Sequence, residues 1–266
     1  MVTIESYIII NILIFLFTTI LSIGGVGAAF IDTPLLLYFG FDIVMVTALG
    51  LLLNTFSTGT QSIRHYRQKV IEYDVAFPII VASIVSAPIG AYFVNLVSQR
   101  DLKLIFALTL LVFGLIILFN LLKTRKQSEL LNQDEIGPIS KISNVKRIVI
   151  SLLLGGLVGF ITGLLGIGGG SIILPVLLFF GLETRKAAGT TSFTVIFSSL
   201  IGLLAKLTLT TFVIDYILLI SSLIATILGA ILGSYLMHFK LNRNQIKIVI
   251  IIFLELVAFE MILDFR

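Results

Sequence analysis

The stretch Gly-Leu-Leu-Gly-Ile-Gly-Gly-Gly-Ser-Ile-Ile-Leu-Pro, residues 163–175, sets three adjacent glycines inside an otherwise apolar block. Each glycine in a helix interior costs up to about 1 kcal/mol relative to alanine, so a plain spanning helix does not account for the run. A weaker copy, Gly-Gly-Val-Gly-Ala-Ala-Phe-Ile-Asp-Thr-Pro, occupies residues 24–34. A break at either place would free backbone N–H and C=O groups that lipid cannot satisfy. Such groups survive at membrane depth only when buried in protein or lining a wet cavity.

The rest of the chain explains why depth matters. Of 266 residues, 58% are hydrophobic and 12% charged, with a mean hydropathy of +1.15. A soluble domain carries about 25% charged residues, so this chain has too little charge to cover a water-facing surface. Apolar blocks lie at about 4–23, 28–40, 44–63, 76–97, 102–122, 148–165, 171–182, 187–207, 213–237 and 244–263. Most match the ~20 residues a helix needs to cross a bilayer. They lack the strict alternation of a membrane barrel. The net charge of +4 sits in short basic runs between blocks, such as Arg64, Arg67 and Lys69. That is how loops flank membrane helices, so nucleic acid is not an expected partner; the lipid bilayer is. Zero cysteines exclude disulfides, Cys-ligated metal and a thiol nucleophile. No metal or cofactor is expected. The N-terminal residues have no basic n-region or cleavage site and read as a first helix.

Shifting the chain by 141 positions brings Gly25 onto Gly166, Gly27 onto Gly168, Pro34 onto Pro175, Gly40 onto Gly181, Ser57 onto Ser198 and Asp74 onto Asp215. Ordered matches of Gly, Pro and Asp point to an internal duplication. The expected organisation is an all-α membrane protein of about eight transmembrane helices in two repeated four-helix halves, 1–122 and 148–266, joined by a hydrophilic linker at 123–147. The first helix of each half is broken at its glycine run. Block 28–40 is too short to cross alone; it either continues a long broken helix or dips in and returns. Both options give four crossings per half, which predicts parallel repeats. On that layout the Lys and Arg divide eleven to seven in favour of the side holding both termini, placing the termini in the cytoplasm.

The segment from Ser171 reads as a short helix whose N-terminal N–H groups face the break, a natural site for an anion. Candidate substrate-binding residues are Gly24, Gly25, Gly27, Pro34 and Asn54 in the first half, with Gly166, Gly168, Gly169, Gly170, Ser171, Pro175, Thr190, Thr191 and Ser192 in the second. Gly155, Gly159 and Gly163 read instead as a helix-packing stripe. Intramembrane acids are default functional suspects: Asp32 and Glu255 are candidate proton carriers, although Asp32 also suits a cap on its short helix. His65 and Lys206, equivalent under the shift, read as side chains snorkelling to the interface. No dinucleotide fingerprint or P-loop is present.

Residues 163–175, together with Ala-Ala-Gly-Thr-Thr-Ser at 187–192 and Asp215, resemble the sulfite exporter TauE/SafE family of membrane transporters. The first half has the same layout in weaker form in Gly24, Gly25, Gly27, Pro34, Ala48-Leu49-Gly50 and Asp74. The resemblance implies about eight helices in two repeated halves. It also implies export or uptake of sulfite, a sulfonate or a related sulfur-containing anion across a prokaryotic plasma membrane. Ala28 and Ala29 stand where a fuller glycine run is usual, so the two halves are not expected to contribute equally. A passive anion channel, an intramembrane enzyme and a helper subunit are the competing functions. The enzyme lacks any catalytic constellation. A homo-oligomer is neither implied nor excluded.

Overall fold

The structure is a computed structural model that describes residues 4–24, 26–127, 144–179, 182–211, 213–236 and 259. Its helices are α1 (Ile4–Gly24), α2 (Ala29–Tyr38), α3 (Ile43–Arg67), α4 (Tyr73–Phe93), α5 (Gln99–Gln127), α6 (Asn144–Leu165), α7 (Gly170–Phe179), α8 (Thr184–Leu209) and α9 (Tyr216–Leu236). Among the described residues, six stretches are long and apolar enough to cross a membrane: Ile4–Ser22, Ile43–Arg67, Tyr73–Phe93, Val145–Leu165, Arg185–Leu209 and Tyr216–Leu236. The chain is an all-α, multi-pass membrane protein. The expected block at 244–263, with Glu255 and Glu260, lies outside the described residues, as does Gly25.

The chain forms two compact units, one holding α1–α4 with α6–α9 and the other holding α5. In the second unit, Ser98 caps α5: its hydroxyl oxygen accepts the Asp101 N–H at 3.1 Å, satisfying one of the donors a helix start leaves free.

Within the first unit, local chemistry fixes the helix ends. The Asp42 carboxylate accepts the N–H groups of Val44 at 2.9 Å and Met45 at 3.1 Å, starting α3. Gly40, at φ +82°, ends α2 in the left-handed conformation that glycine adopts without Cβ strain. Asp215 starts α9 by accepting the Leu218 N–H at 3.0 Å and is also bonded by the Tyr7 hydroxyl. Burial pushes this carboxyl up, but the donors Leu218 N–H, Tyr7 O–H and Ile217 N–H outweigh it and hold Asp215 below the usual carboxylate range.

Small residues set the helix contacts. A Cβ on Gly155, Gly159 or Gly163 of α6 would collide with Ile79, Ser83 or Ala87 of α4, so this stripe does let two backbones touch, as such stripes do in membranes. A Cβ on Gly229 or Gly233 of α9 would collide with the Phe15–Ser22 stretch of α1. Both contacts advance in the same direction along their two chains, so α4 runs parallel to α6, and α9 parallel to α1. Glu72 N–H meets Thr190 at the starts of α4 and α8, and Asn95 meets the Leu209 carbonyl at their ends, so these helices are also parallel. Helices α3 and α8 run antiparallel, because Thr47 meets Lys206, Asn54 meets Ser199 and His65 meets Ser192.

These directions correct the expected topology. Ala29 of α2 meets Asn54 of α3, and further along α2 Thr33 meets Gly50, so α2 runs opposite to α3. Phe41, just past α2, packs its ring on Tyr7 near the start of α1, with centroids 6.4 Å apart. The chain therefore doubles back between α1 and α2, and α2 runs back toward the start of α1. Block 28–40 does not continue α1 as a long broken helix: α2 packs back along it. Accordingly α1, α3 and α9 point one way and α4, α6 and α8 the other.

Candidate functional site

The two glycine breaks meet in the middle of the first unit. Gly27 has φ +86° and Gly168 φ +70°, both in the left-handed region; Gly166 shares it at φ +68°. A residue with a Cβ is disfavoured there by about 1–2 kcal/mol, so only glycine turns the chain at these points without strain. Both positions lie against one side chain. A Cβ on Gly27 would strike Asn54 Oδ1, and a Cβ on Gly168 would strike Asn54 Nδ2. The fully buried Asn54 amide thus sits between the breaks, with oxygen toward the first and nitrogen toward the second.

Asn54 also ties in the surrounding helices. Its Oδ1 accepts the Ala29 N–H at 3.2 Å, taking one of the free donors at the start of α2. Its Nδ2 donates to Ser199 Oγ of α8 at 2.7 Å. The position equivalent to Asn54 in the second half is Val195, which has no group to cap α7. Ile172 and Ile173 N–H turn back to the Gly169 carbonyl, and the Ser171 hydroxyl in the first turn of α7 has no partner. Gly170 lies so close to the Val26 carbonyl that a Cβ would overlap it, which brings the start of α7 against the first break. Thr33 Oγ1 donates to the Gly166 carbonyl at 3.1 Å, stitching α2 to the second break. The structure therefore brings together Gly27, Asn54, Gly166, Gly168 and Gly170.

Other expected residues fall elsewhere. Gly24 is the last residue of α1. Gly169 faces the Val158 side chain. Pro34 and Pro175 lie inside α2 and α7, a turn or more past the N-termini, where each deletes one helical hydrogen bond. Thr190 Oγ1 accepts the Glu72 N–H at 3.0 Å. Ser192 donates to the Gly189 carbonyl at 3.1 Å, whereas the buried Thr191 hydroxyl has no partner.

Two side chains overturn their expected roles. Lys206 and His65 were expected to snorkel to the interface, yet Lys206 is 0% and His65 2% exposed. Lys206 Nζ donates to Thr47 Oγ1 at 2.8 Å and to the Leu164 carbonyl at 3.3 Å, directly beside the second break. Its partners come from α3 and α6, and among the described residues no carboxylate pairs with it. An ammonium has three N–H donors, so one remains for another acceptor. His65 Nδ1 lies 2.8 Å from Ser192 Oγ. The Ser192 hydroxyl also lies 3.1 Å from the Gly189 carbonyl. Asp32 does not cap α2 either: the N-cap is Ala28, with no side-chain bond, and the Asp32 side chain turns instead to Thr18 of α1 at 3.5 Å.

Two glycine breaks meeting among buried residues of a bundle of apolar helices, with helix N-termini at the meeting point, match a class: helical membrane transporters built on discontinuous helices. The family model described as "Sulfite exporter TauE/SafE" matches residues 10–261, and the chain belongs to this family. It is a membrane transporter. The chain is 25% identical over 207 residues to the "Probable membrane transporter protein YunE" of Bacillus subtilis, covering 73% of this chain and 75% of that protein. It is 28% identical over 198 residues to the "Probable membrane transporter protein MJ0441" of Methanocaldococcus jannaschii, covering 71% and 68%. The "Probable membrane transporter protein YjnA" of Bacillus subtilis is 27% identical over 180 residues, covering 64% and 67%. No solved structure matches the chain.

Proposed function

We propose that the protein is a secondary transporter of a small oxyanion, sulfite or a sulfonate in first place, and that the substrate binds where the two glycine breaks meet. The observation that carries this is the Asn54 amide between Gly27 and Gly168, with the N-termini of α2 and α7 converging on it. Those termini supply partial positive charge and free N–H donors. The Lys206 ammonium beside the second break supplies a full charge. The unpartnered Ser171 and Thr191 hydroxyls favour the second half as the stronger contributor.

The site sits in a proposed frame of eight crossing or re-entrant elements per pair of halves. Helices α2 and α7, Ala29–Tyr38 and Gly170–Phe179, start and end at positions 141 apart. Helix α3 starts at Ile43 and α8 at Thr184, the same displacement. With the antiparallel directions, this supports halves related by an axis in the membrane plane, the inverted arrangement common among transporters.

The same directions support a plasma-membrane orientation opposite to the one expected from the sequence. Arg64, Arg67, Lys69, Lys146, Arg147, Arg185 and Lys186 all lie at the end of the first unit where α3 stops and α4, α6 and α8 begin. Ion pairs from Arg147 to Asp74 and Lys186 to Glu72 join them there. The opposite end carries Glu5, Asp42 and Asp215, and among the described residues of the first unit the one basic residue near it is the buried Lys206. Positive-inside reasoning puts the basic end in the cytoplasm and the start of α1 outside.

A binding screen on the purified full-length protein tests the substrate class, using sulfite, alkyl sulfonates, sulfate and carboxylates. Sulfite or sulfonates are expected to bind most tightly, and to be the anions taken up by proteoliposomes. Uptake of none of them, or of carboxylates alone, would contradict the proposal.

A further inference from the structure

Away from the junction, the seam between α1, α2 and α3 buries a second group of polar side chains. Asp32 is 0% exposed. Its Oδ2 accepts a long 3.5 Å hydrogen bond from Thr18, and its Oδ1 has no partner. Gln61, also fully buried, donates through Nε2 to Ser22 Oγ at 2.8 Å and to Ser57 Oγ at 3.0 Å. Its Oε1 has no partner. Thr18 and Ser22 are one turn apart on α1, hence neighbours on one helix face, so Asp32 and Gln61 reach the same strip of α1 from α2 and α3.

Both orphaned atoms are acceptors, and neither can satisfy the other. A bare carboxylate at this depth with one weak hydrogen bond is expensive. Basic side chains on the packed helices are engaged elsewhere. Arg64 of α3 bonds the Ser234 carbonyl, and His65 bonds Ser192. The remaining titratable groups of α1 and α9 near this seam are Glu5 and Tyr7 at the start of α1, with Tyr7 on Asp215, and Tyr216 and Tyr235 of α9, both exposed. No cation of the protein reaches Asp32 among the described residues. The last turn of α1, ending at Gly24, directs carbonyl oxygens and partial negative charge toward this end of the helix. Among the described residues the seam holds no cationic side chain, and it leaves two oxygens, Asp32 Oδ1 and Gln61 Oε1, without a partner.

We propose that Asp32, with Thr18, Ser22, Ser57 and Gln61, forms a binding site for a monovalent cation, a proton or a sodium ion. A proton on Oδ1 converts an orphaned acceptor into a donor and removes the buried charge. A sodium ion takes oxygen ligands from the same atoms, as coupling ions do beside broken helices. If the protein carries an anion as proposed above, this site is where the coupling cation binds, on the side of the first break away from α8. The cation site itself does not depend on which anion is carried.

Infrared difference spectroscopy on the purified protein, without any added anion, tests the site. At neutral pH in sodium-free buffer, wild type minus Asp32→Asn is expected to show the carbonyl stretch of one protonated carboxylic acid. If sodium is the ligand, adding sodium chloride, and not choline chloride, abolishes that band as the ion displaces the proton. If the proton is the ligand, the band persists in both salts. An ionised Asp32 at neutral pH in sodium-free buffer, unchanged by sodium, would overturn the proposal. Should Asp32→Asn not give folded protein, Thr18→Val reports through the same band. Loss of the hydrogen bond shifts the band if it belongs to Asp32, and an unshifted band overturns the assignment.

Discussion

The side-chain amide of Asn54 separates Gly27 from Gly168, presenting its oxygen to one glycine and its nitrogen to the other. One residue of the first half thus holds both breaks at a fixed distance, and no equivalent exists in the second half, where Val195 occupies the position. The asymmetry has a chemical consequence. Helix α2 has its first N–H bonded by the Asn54 amide, and Val195 can make no such bond at the start of α7.

Lys206 is the charge closest to the second break. Replacing Lys206 by Met removes an ammonium that bonds Thr47 and Leu164. Hydrogen bonds to charged groups contribute about 1.5–3 kcal/mol, so anion uptake in proteoliposomes should fall about tenfold or more, while the protein remains monodisperse on size exclusion. Uptake within about twofold of wild type would show that the ammonium serves structure alone.

Orientation is testable because the chain contains no cysteine. Single substitutions Glu5→Cys and Arg67→Cys, both at exposed positions, mark opposite ends of the first unit. A membrane-impermeant maleimide applied to intact cells should label the cysteine at position 5 and leave that at 67 unlabelled until the cells are opened. The reverse pattern would restore the cytoplasmic N-terminus that charge counting along the sequence suggested.

Asp215 gives the stability a pH dependence. Its carboxyl is held below the ordinary value by the donors Leu218, Tyr7 and Ile217 despite burial, so the folded state favours the ionised form. The stabilisation is present above the unfolded value of about 3.9 and is lost as pH falls through the lower folded value. Thermal unfolding in detergent should therefore weaken between about pH 5 and pH 3, and Asp215→Asn should flatten that slope. An unchanged slope in the variant would place the acid sensitivity elsewhere.

Much of the fold was legible in the sequence because bilayer thickness fixes block length and glycine runs break helices. The nine described helices follow the apolar blocks closely, and the stripe Gly155, Gly159 and Gly163 touches α4 as its spacing implied. Direction was not legible. Hydropathy records that 28–40 is short but not whether the chain continues or returns, and one returning hairpin inverts every later helix. The buried lysine was missed for a related reason. Lys206 lies near the end of an apolar helix, where snorkelling is the usual outcome, and its partner Thr47 is 159 positions away. The pairing of His65 with Lys206 under the shift was the available clue. Gln61 and Thr18 gave no sequence signal, since a lone amide or hydroxyl in a membrane helix most often bonds within the protein.

The central claim, that the substrate binds where the breaks meet, is most directly tested by comparing two glycines. A side chain at Gly168 would collide with Asn54 and strain a backbone at φ +70°, whereas one at Gly156 would meet nothing within 4 Å. Sulfite uptake into proteoliposomes should be abolished by Gly168→Val and unaffected by Gly156→Val, with both proteins folded. Equal uptake by the two variants would contradict the account.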